Sequence, residues 1–199
     1  MKLYEFPTSG NCYKVRLAFA LAKKPYERQE MGRNDGSTKT ADFLKLSPSG
    51  RVPALEVAPG KVLVESSAIL YYVAQGTSLW PKDALEQAEV LRWMSFEQDS
   101  VLANLGMARF MTKMLGEPAE KAADIAKARE GGKRALKIMD DHLKGRSYFV
   151  GNAATIADVA LFAYSHLAPE GKGDLAPFPN VLAWQARMKA LPGHVPIYE

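Results

Sequence analysis

The chain has 199 residues, of which 47% are hydrophobic, and it carries a formal net charge of +4. That composition supports a sizeable core and excludes a disordered chain. Lysines and arginines are interleaved with acidic residues, a pattern typical of solvated helix faces rather than of a surface that binds nucleic acid.

The single cysteine, Cys12, excludes an internal disulfide and a metal site made of several thiolates. The histidines are too scattered along the chain to form a ligand pair, so we expect no bound metal. No apolar run approaches the ~20 residues of a membrane span, and the opening MKLYEF lacks the apolar core of a signal peptide. We therefore expect a cytoplasmic protein without a membrane or nucleic-acid partner.

The first elements in chain order are a strand, a helix and a second strand. Residues 2–4 and 26–30 have strand patterns, and a helical pattern runs between them from about Cys12 to Ala22. The basic residues of that helix, Lys14 and Arg16 among them, are expected to reach water. A strand–helix–strand unit of this kind typically forms a parallel pair of strands.

A hairpin and a helix come next, after a polar stretch in which only ADFLKL has a weak helical pattern. The segments RVPALEV and VLVE, separated by the tight turn APGK, predict two antiparallel strands. The segment SSAILYYVAQ predicts a helix, with Ser66 near its N-terminus and Gly76 just after its end.

The rest of the chain has helical patterns only, and no strand pattern follows Glu65. The boundary between the two halves falls in residues 76–83. We therefore predict an α/β domain at residues 1–78 followed by an all-helical domain at residues 84–199. Four helices are predicted there: Ala84 to about Leu115, Pro118 to Leu143, the almost wholly apolar TIADVALFAYSHLA, and FPNVLAWQARMKALPG.

Two short motifs in the α/β half have the chemistry to bind a peptide-like ligand. In RVPALE, a cis Val52–Pro53 bond would leave the main-chain N–H and C=O of Val52 able to pair with an extended peptide, although the residues alone favour an ordinary trans proline. In VLVESS, Ser66 and the helix amides suit a carboxylate and Glu65 suits an ammonium, which together match an α-amino acid head group. The alternative for Glu65 and Ser66 is a simple helix cap.

A third motif is TSGNC, where the first strand passes into the helix. The Ser9 hydroxyl, the Asn11 amide and the first helix N–H groups are donors, and donors aimed at a sulfur lower the pKa of its thiol. The alternative is that Ser9 and Asn11 only cap the helix. Cys12 lies in the first helical turn, where its own thiol would be acidified, or else it is a small residue packed beneath the loop.

The order of these features resembles the cytosolic glutathione transferases along the full chain. In that family a β-α-β unit, a Val-Pro that opens a hairpin, a Glu-Ser at a helix start and an all-helical half follow one another. TIADVALFAY resembles the start of the family's buried helix, with Thr155 as cap and Asp158 as capping-box partner. The tail AYSHLAPEGKGDLAPFPNVLAW resembles a bacterial branch. The resemblance implies a thioredoxin-like N-terminal domain, an all-helical C-terminal domain and a symmetric homodimer.

The resemblance also implies which residues bind glutathione. Val52 would hold the cysteinyl part through its main chain, with Pro53 cis, and Glu65 and Ser66 would bind the γ-glutamyl head group. A basic residue, Lys39, would bind the glycyl carboxylate.

Further roles follow from the same resemblance. Arg51 is a rival to Lys39 for the glycyl carboxylate. Ser9 matches the hydroxyl that faces the glutathione sulfur in serine- and threonine-type members, and Asn11 resembles an amide found nearby in some of them. Tyr4 lies too early for the tyrosine that other members use, because it falls within the first strand.

The implied activity is a glutathione transferase that activates the glutathione thiol and conjugates it to an apolar electrophile. Two other functions stay open. The SGN sequence fits the Ser/Thr-x-Asn loop of relatives that act as glutathione-dependent disulfide reductases or peroxidases, and a non-catalytic glutathione-binding module would keep the same fold. A reactive Cys12 would form a mixed disulfide with glutathione. Apolar residues late in the long helix would line the electrophile pocket, or else belong to the core: Met107, Phe110, Met111 and Met114.

Overall fold

A computed structural model describes residues 1–198 of the chain. They form two compact units, one of residues 1–79 together with the segment from Pro192 onward, and one of residues 80–191. The first is a thioredoxin-like α/β unit and the second is all-helical, so the predicted fold class is confirmed.

The first unit is built on a four-stranded mixed sheet in the order β2-β1-β3-β4. β1 is parallel to β2 and antiparallel to β3, and β3 is antiparallel to β4, which confirms both the parallel pair and the hairpin. All four side chains of β2 are exposed, which suits a polar strand at the edge of a sheet. The strands are β1 (Lys2–Glu5), β2 (Glu27–Glu30), β3 (Ala54–Ala58) and β4 (Lys61–Val64).

Three α-helices belong to this unit: α1 (Gly10–Leu21), α2 (Ala41–Leu46) and α3 (Ser66–Ala74). α1 and α3 pack against each other, and Phe19 of α1 and Ile69 of α3 are fully buried. α2 is anchored by Phe43, whose ring meets that of Tyr4 at a centroid distance of 5.9 Å. The weak helical pattern of ADFLKL therefore marks a real helix, preceded by a 3₁₀ turn at Ser37–Lys39.

Helix α1 differs from its prediction in its start and in its basic side chains. It begins at Gly10, because Ser9 is the residue that caps it. Lys14 and Arg16 were expected to reach water, but only 0% and 4% of their surfaces are exposed. Arg16 donates to the buried Glu5 carboxylate and to main-chain carbonyls. The expectation is wrong because a helical pattern assigns polar residues to the solvent face. It does not show that a charged side chain has a hydrogen-bond partner inside the protein.

The segment from Pro192 onward packs in the first unit, although the predicted second domain of residues 84–199 includes it. The Tyr13 hydroxyl donates to the Val195 carbonyl at 2.8 Å, and Arg16 donates to the Ile197 carbonyl at 2.7 Å. These hydrogen bonds hold the main chain of the segment against α1.

The second unit begins with one long helical stretch. α4 (Ala84–Phe96) continues without a break through wider, π-type turns at Glu97–Gly106, a short α5 (Met107–Arg109) and further π-type turns at Phe110–Met114. The helix predicted from Ala84 to about Leu115 is therefore present, with irregular turns that apolar spacing does not reveal. Apolar residues at helical spacing along it are buried: Val90, Met94, Val101, Leu105 and Ala108.

Three further α-helices complete this unit: α6 (Ala122–Leu143), α7 (Ile156–Ser165) and α8 (Pro179–Lys189). Every residue of α7 is buried, as its apolar sequence predicts. α6 packs closely on the π-type segment at two glycines. A Cβ added to Gly131 would lie 1.8 Å from Asn104 Oδ1, and one added to Gly132 would lie 2.4 Å from Leu105 Cδ2, so a larger residue at either position would force one of these side chains to move.

Within residues 1–198, no strand follows Val64 and no helix has the length and apolar character needed to cross a bilayer. The same residues contain no group of three histidine, cysteine or acidic side chains arranged as metal ligands would be.

Candidate functional site

The sheet register brings three of the predicted site segments to one end of the sheet. Tyr4 of β1 pairs with Ala54 of β3, and Ala54 pairs in turn with Val64 of β4. The loop after β1, the residues before β3 and the residues after β4 therefore leave the sheet side by side. These segments carry the predicted site residues Ser9, Val52, Pro53, Glu65 and Ser66.

Ser9 caps α1 and keeps a donor for a ligand. Its Oγ accepts from the Cys12 N–H at 3.3 Å, and a hydroxyl that accepts still has its own proton to donate. The first turn of α1 contains no acidic side chain, so the partial positive charge of the helix N-terminus is not neutralised there. Capping and sulfur binding, which the sequence presents as alternatives for Ser9, are therefore compatible.

Asn11 follows in the first turn of α1, and its side chain is half-buried. Its Oδ1 accepts from the Nζ of Lys14 at 2.8 Å. The amide is thus held by a side chain within the same helix, next to the cap made by Ser9.

The Val52–Pro53 peptide bond is cis. The residues alone favour trans, and that expectation is wrong. Local sequence does not decide between the two forms, because they differ by only about 0.5–1 kcal/mol for a proline. Neither the N–H nor the C=O of Val52 hydrogen-bonds to another residue in the described part of the chain.

Glu65 and Ser66 form the start of α3. Glu65 has a φ of 69°, in the region that favours glycine, and its side chain makes no capping hydrogen bond, so it is not a simple cap. Its carboxylate is exposed and makes no ion pair within residues 1–198. Ser66 is 5% exposed and its hydroxyl likewise has no partner among those residues. A strained residue beside an unused hydroxyl and helix N–H groups is typical of a binding site.

Lys39 lies at the loop that leads into Val52. Its Nζ is 3.3 Å from the Gly50 carbonyl and 3.4 Å from the Ser49 carbonyl, and its side chain is exposed. These long contacts leave the ammonium available for a carboxylate. Arg51, the rival residue, belongs to the same loop and is also exposed.

Burial makes two other groups poor sources of a reactive anion. Cys12 is fully buried, and burial raises the pKa of its thiol to about 12, an effect that nearby groups of Ser9 and Phe6 offset only in part. Burial, followed by the charge of Glu56, also raises the pKa of Tyr4, whose hydroxyl lies 3.5 Å from that carboxylate. The structure therefore favours Cys12 as a packed residue beneath the loop.

The second unit contains an apolar groove of about 400 Å³. Met107 and Phe110 line it with 42% and 39% of their surfaces exposed, and Met111 lines it while belonging to the buried core. Met114 is half-buried and is not part of the lining. Exposed methionine and phenylalanine side chains in one groove suit an apolar ligand.

The sequence analysis missed the buried cations of α1. Arg16 donates to the Pro7 carbonyl at 3.1 Å and to Glu5, and thereby fixes the loop that leads to Ser9. Lys14 holds Asn11. A signal was available, because Lys14 shares its helical face with Leu17 and with other buried residues one turn ahead.

Comparison with known protein families gives two matches. The model described as the glutathione S-transferase N-terminal domain matches residues 1–75, and the one described as the glutathione S-transferase C-terminal domain matches residues 101–192.

Curated relatives include two kinds of protein. Elongation factor 1-gamma from Artemia salina is 33% identical over 174 residues, which are 85% of this chain but 40% of the relative. The chain thus spans about two fifths of that protein's length. A glutathione S-transferase-like protein, LUC7, from a Fusarium species is 32% identical over 200 residues, which cover 94% of this chain and 87% of the relative.

Solved structures are also similar. A glutathione S-transferase from Pseudomonas fluorescens is 39% identical with a TM-score of 0.97, and the match covers 100% of this chain and 98% of that one. A second glutathione transferase family member from the same species, described with two glutathione bound, is 28% identical with a TM-score of 0.86 over 96% of this chain and 89% of that one.

Proposed function

Because the chain belongs to the glutathione S-transferase family, we propose that it binds glutathione at the end of its sheet and conjugates the glutathione thiolate to an apolar electrophile. The observation that carries the proposal is the convergence of Ser9, Val52 and Ser66 at that end. Each offers a polar group that a tripeptide could pair with: the Ser9 hydroxyl proton, the main-chain N–H and C=O of Val52, and the Ser66 hydroxyl. The glutathione-bound relative from Pseudomonas fluorescens supports the same ligand.

The three parts of glutathione match three parts of the site. Its γ-glutamyl carboxylate would accept from the Ser66 hydroxyl and the N-terminus of α3, and its ammonium would donate to Glu65. Its cysteinyl main chain would pair with the N–H and C=O of Val52, in the manner of an added strand. Its glycyl carboxylate would reach Lys39, with Arg51 as the alternative.

Thiol activation would come from Ser9 and Asn11. A free alkyl thiol has a pKa of about 8.5, and lowering it by two units requires about 3 kcal/mol of preferential stabilisation of the thiolate. One hydrogen bond to a charged acceptor provides about 1.5–3 kcal/mol. The Ser9 hydroxyl would therefore supply much of the effect, and Asn11 and the N–H groups of α1 the remainder.

The electrophile would use the apolar groove of the second unit. Phe110 is the largest exposed apolar side chain in its lining. We expect Phe110→Ala to raise the KM for an aryl halide several-fold and to leave the Kd for glutathione unchanged. The matched control is Leu182→Ala, which removes an exposed apolar side chain outside the groove.

A glutathione-dependent disulfide reductase or peroxidase is the second candidate function. The observation that favours it is the adjacency of two donors, the Ser9 hydroxyl and the Asn11 amide, which could face the two sulfurs of a disulfide. The elongation factor 1-gamma relatives point to a third candidate, a glutathione-binding module without turnover, because their matching region is a part of a longer protein.

A homodimer is part of the proposal. Leu85 and Leu91 of α4 expose 71% and 52% of their surfaces, and Ile138 of α6 exposes 50%. Apolar side chains on two long helices are suited to an interface between copies. Sedimentation at micromolar concentration would give twice the chain mass for a dimer and the mass of one chain if this part of the proposal is wrong.

Calorimetric titration with glutathione, followed by activity assays, tests the proposed function. We expect glutathione binding at one site per chain, and turnover with an aryl halide that exceeds turnover with a hydroperoxide or a mixed disulfide. Higher activity with either of the latter substrates would establish the redox function instead. Binding without any turnover would indicate the non-catalytic module, and absence of binding would overturn the proposal.

A further inference from the structure

Lys14 is a lysine in the interior of the first unit. None of its surface is exposed, and it is among the largest fully buried side chains of the described chain. Removing an ammonium from water is costly, so a lysine in such a place normally has a role that an apolar side chain would not fill. Its Nζ donates to Asn11 Oδ1 at 2.8 Å, one turn earlier in α1.

This contact determines which way the Asn11 amide faces. An ammonium has three donors and no acceptor, so Lys14 can donate to the amide oxygen but cannot pair with the amide nitrogen, which excludes the flipped orientation. The amide nitrogen must then point elsewhere. Asn11 Nδ2 makes no hydrogen bond within residues 1–198, although the side chain is half-buried.

The direction of the amide matters because an asparagine carries opposite groups at its two ends. With Nδ2 presented, Asn11 donates to an anion, as Ser9 does beside it. With Oδ1 presented, it would repel the same anion. A surface asparagine is free to exchange these orientations, and the buried lysine removes that freedom.

We propose that Lys14 is a positioning residue, which fixes the Asn11 amide so that Nδ2 donates to the glutathione sulfur. The inference rests on the proposed function, since it requires glutathione to bind with its sulfur at the start of α1. Lys14 is fully buried, so it would act on the sulfur only through Asn11.

The test is the pH midpoint of thiolate formation in bound glutathione, followed by ultraviolet absorbance. We expect Lys14→Met, of similar length but without a donor, to raise the midpoint by up to about one unit, a ~tenfold fall in the ionisation constant of the thiol. Asn11→Ala is expected to raise it by a similar amount. The double variant is expected to show no further shift, because each change removes the same donor, Asn11 Nδ2, from the sulfur.

Lys24→Met is the matched control. Lys24 is a lysine of the same unit. It donates to the Val73 and Gln75 carbonyls at 2.8 Å each, and these acceptors are far from Asn11 in the sequence. Its replacement is expected to lower stability without moving the midpoint. This separates a positioning role of Lys14 from a structural one.

Three outcomes would overturn the inference. A folded Lys14→Met protein with the wild-type midpoint would show that the lysine does not act on the sulfur. Shifts that add in the double variant would show that its charge acts independently of Asn11. If Lys14→Met does not fold, Lys14→Leu takes its place, since it also lacks a donor and an apolar side chain needs no partner when buried, and an unchanged midpoint there contradicts the inference equally.

The same series separates this inference from the proposed function. A normal midpoint in Lys14→Met together with a raised one in Ser9→Ala would remove the inference and leave glutathione activation in place. If the wild-type protein does not bind glutathione, both fail together.

Discussion

Ser9 illustrates how one side chain can cap a helix and also take the chemical role proposed for it. Its Oγ accepts from the Cys12 N–H and so satisfies one of the unpaired N–H groups at the start of α1, while its own proton remains available to a ligand. The two uses do not compete, because one needs the lone pairs of the hydroxyl and the other needs its hydrogen. A substitution therefore affects both stability and thiol activation.

We predict that Ser9→Ala raises the pKa of bound glutathione by one to two units, because a hydrogen bond to a charged acceptor contributes about 1.5–3 kcal/mol. Thiolate absorbance against pH measures it. Ser9→Thr, which keeps the hydroxyl, is the matched variant and should retain a midpoint close to that of the wild type. Asp83→Ala controls for the loss of a cap, because Asp83 caps α4 in the other unit. Equal midpoints in Ser9→Ala and wild type would remove Ser9 from the mechanism.

Cys12 gives a prediction of the opposite kind. Burial raises the pKa of its thiol to about 12, so at pH 7.5 it is protonated and shielded. We expect no alkylation by iodoacetamide in the folded protein, complete alkylation in urea, and unchanged turnover in Cys12→Ala. Glutathionylation of the folded protein with loss of turnover in that variant would restore the thiol role.

Glu65 combines a strained backbone with a proposed ligand-binding side chain, and two variants separate these properties. Glu65→Gly relieves the positive φ and is expected to raise the free energy of unfolding by about 1 kcal/mol, measured in urea. Glu65→Gln keeps the strain and should leave that free energy unchanged. Both should weaken glutathione binding by about 10–100-fold, since both lose a charge-assisted hydrogen bond. If Glu65→Gly is less stable than Glu65→Gln, the claim that the backbone of Glu65 is strained is wrong.

Helix α7 shows how an element can depend on a single buried carboxylate. Asp158 accepts hydrogen bonds from the main-chain N–H groups of Phe149 and Thr155, from the Thr155 hydroxyl and from Trp184 Nε1, at 2.9–3.1 Å. It thereby joins the start of α7 to the preceding loop and to α8. The capping box that the sequence predicts from Thr155 and Asp158 is present.

The stability contributed by Asp158 is expected to depend on pH. Burial raises its pKa to about 6, above its value of about 3.9 in an unfolded chain, and the donors offset only part of that rise. The native state therefore binds the proton more tightly, so this contribution is present in full below pH 4 and is lost as the pH rises through 6. Between pH 7.5 and pH 5, the free energy of unfolding of the wild type should rise by about 1.4 kcal/mol relative to that of Asp158→Asn, which does not titrate.

Urea unfolding of the two proteins at both pH values measures this difference, and groups that titrate in both cancel. The raised pKa would be contradicted if the free energy of unfolding of the wild type minus that of the variant is the same at both pH values, or smaller at pH 5.

Elements were predictable from the sequence where one pattern dominates. α7 is apolar throughout and wholly buried, and the hairpin was marked by its APGK turn. The wider turns at Glu97–Gly106 were not predictable, because an apolar stripe survives a local change in helical period. The burial of Lys14 and Arg16 was also missed, because hydrophobic spacing does not reveal hydrogen-bond partners. Lys14 donates to Asn11 in the same helix, and Arg16 donates to Glu5 in β1.

At the scale of the whole molecule, the order of the motifs predicted the fold, and the proposed ligand follows from the family that the same order resembles. Ser9, Glu65 and Ser66 are weak signals one at a time and become a candidate site only through the register that aligns β1, β3 and β4. The packing of the segment from Pro192 onward with the first unit lay beyond the sequence, because it depends on donors from α1 to main-chain carbonyls.

The central claim is that glutathione binds with its sulfur at the start of α1, and a crystal structure of the protein with glutathione tests it most directly. We expect the sulfur within hydrogen-bond distance of Ser9 Oγ and Asn11 Nδ2, the γ-glutamyl group at Glu65 and Ser66, and the cysteinyl main chain paired with Val52. A sulfur facing away from α1, or a tripeptide bound anywhere else on the protein, would contradict the account.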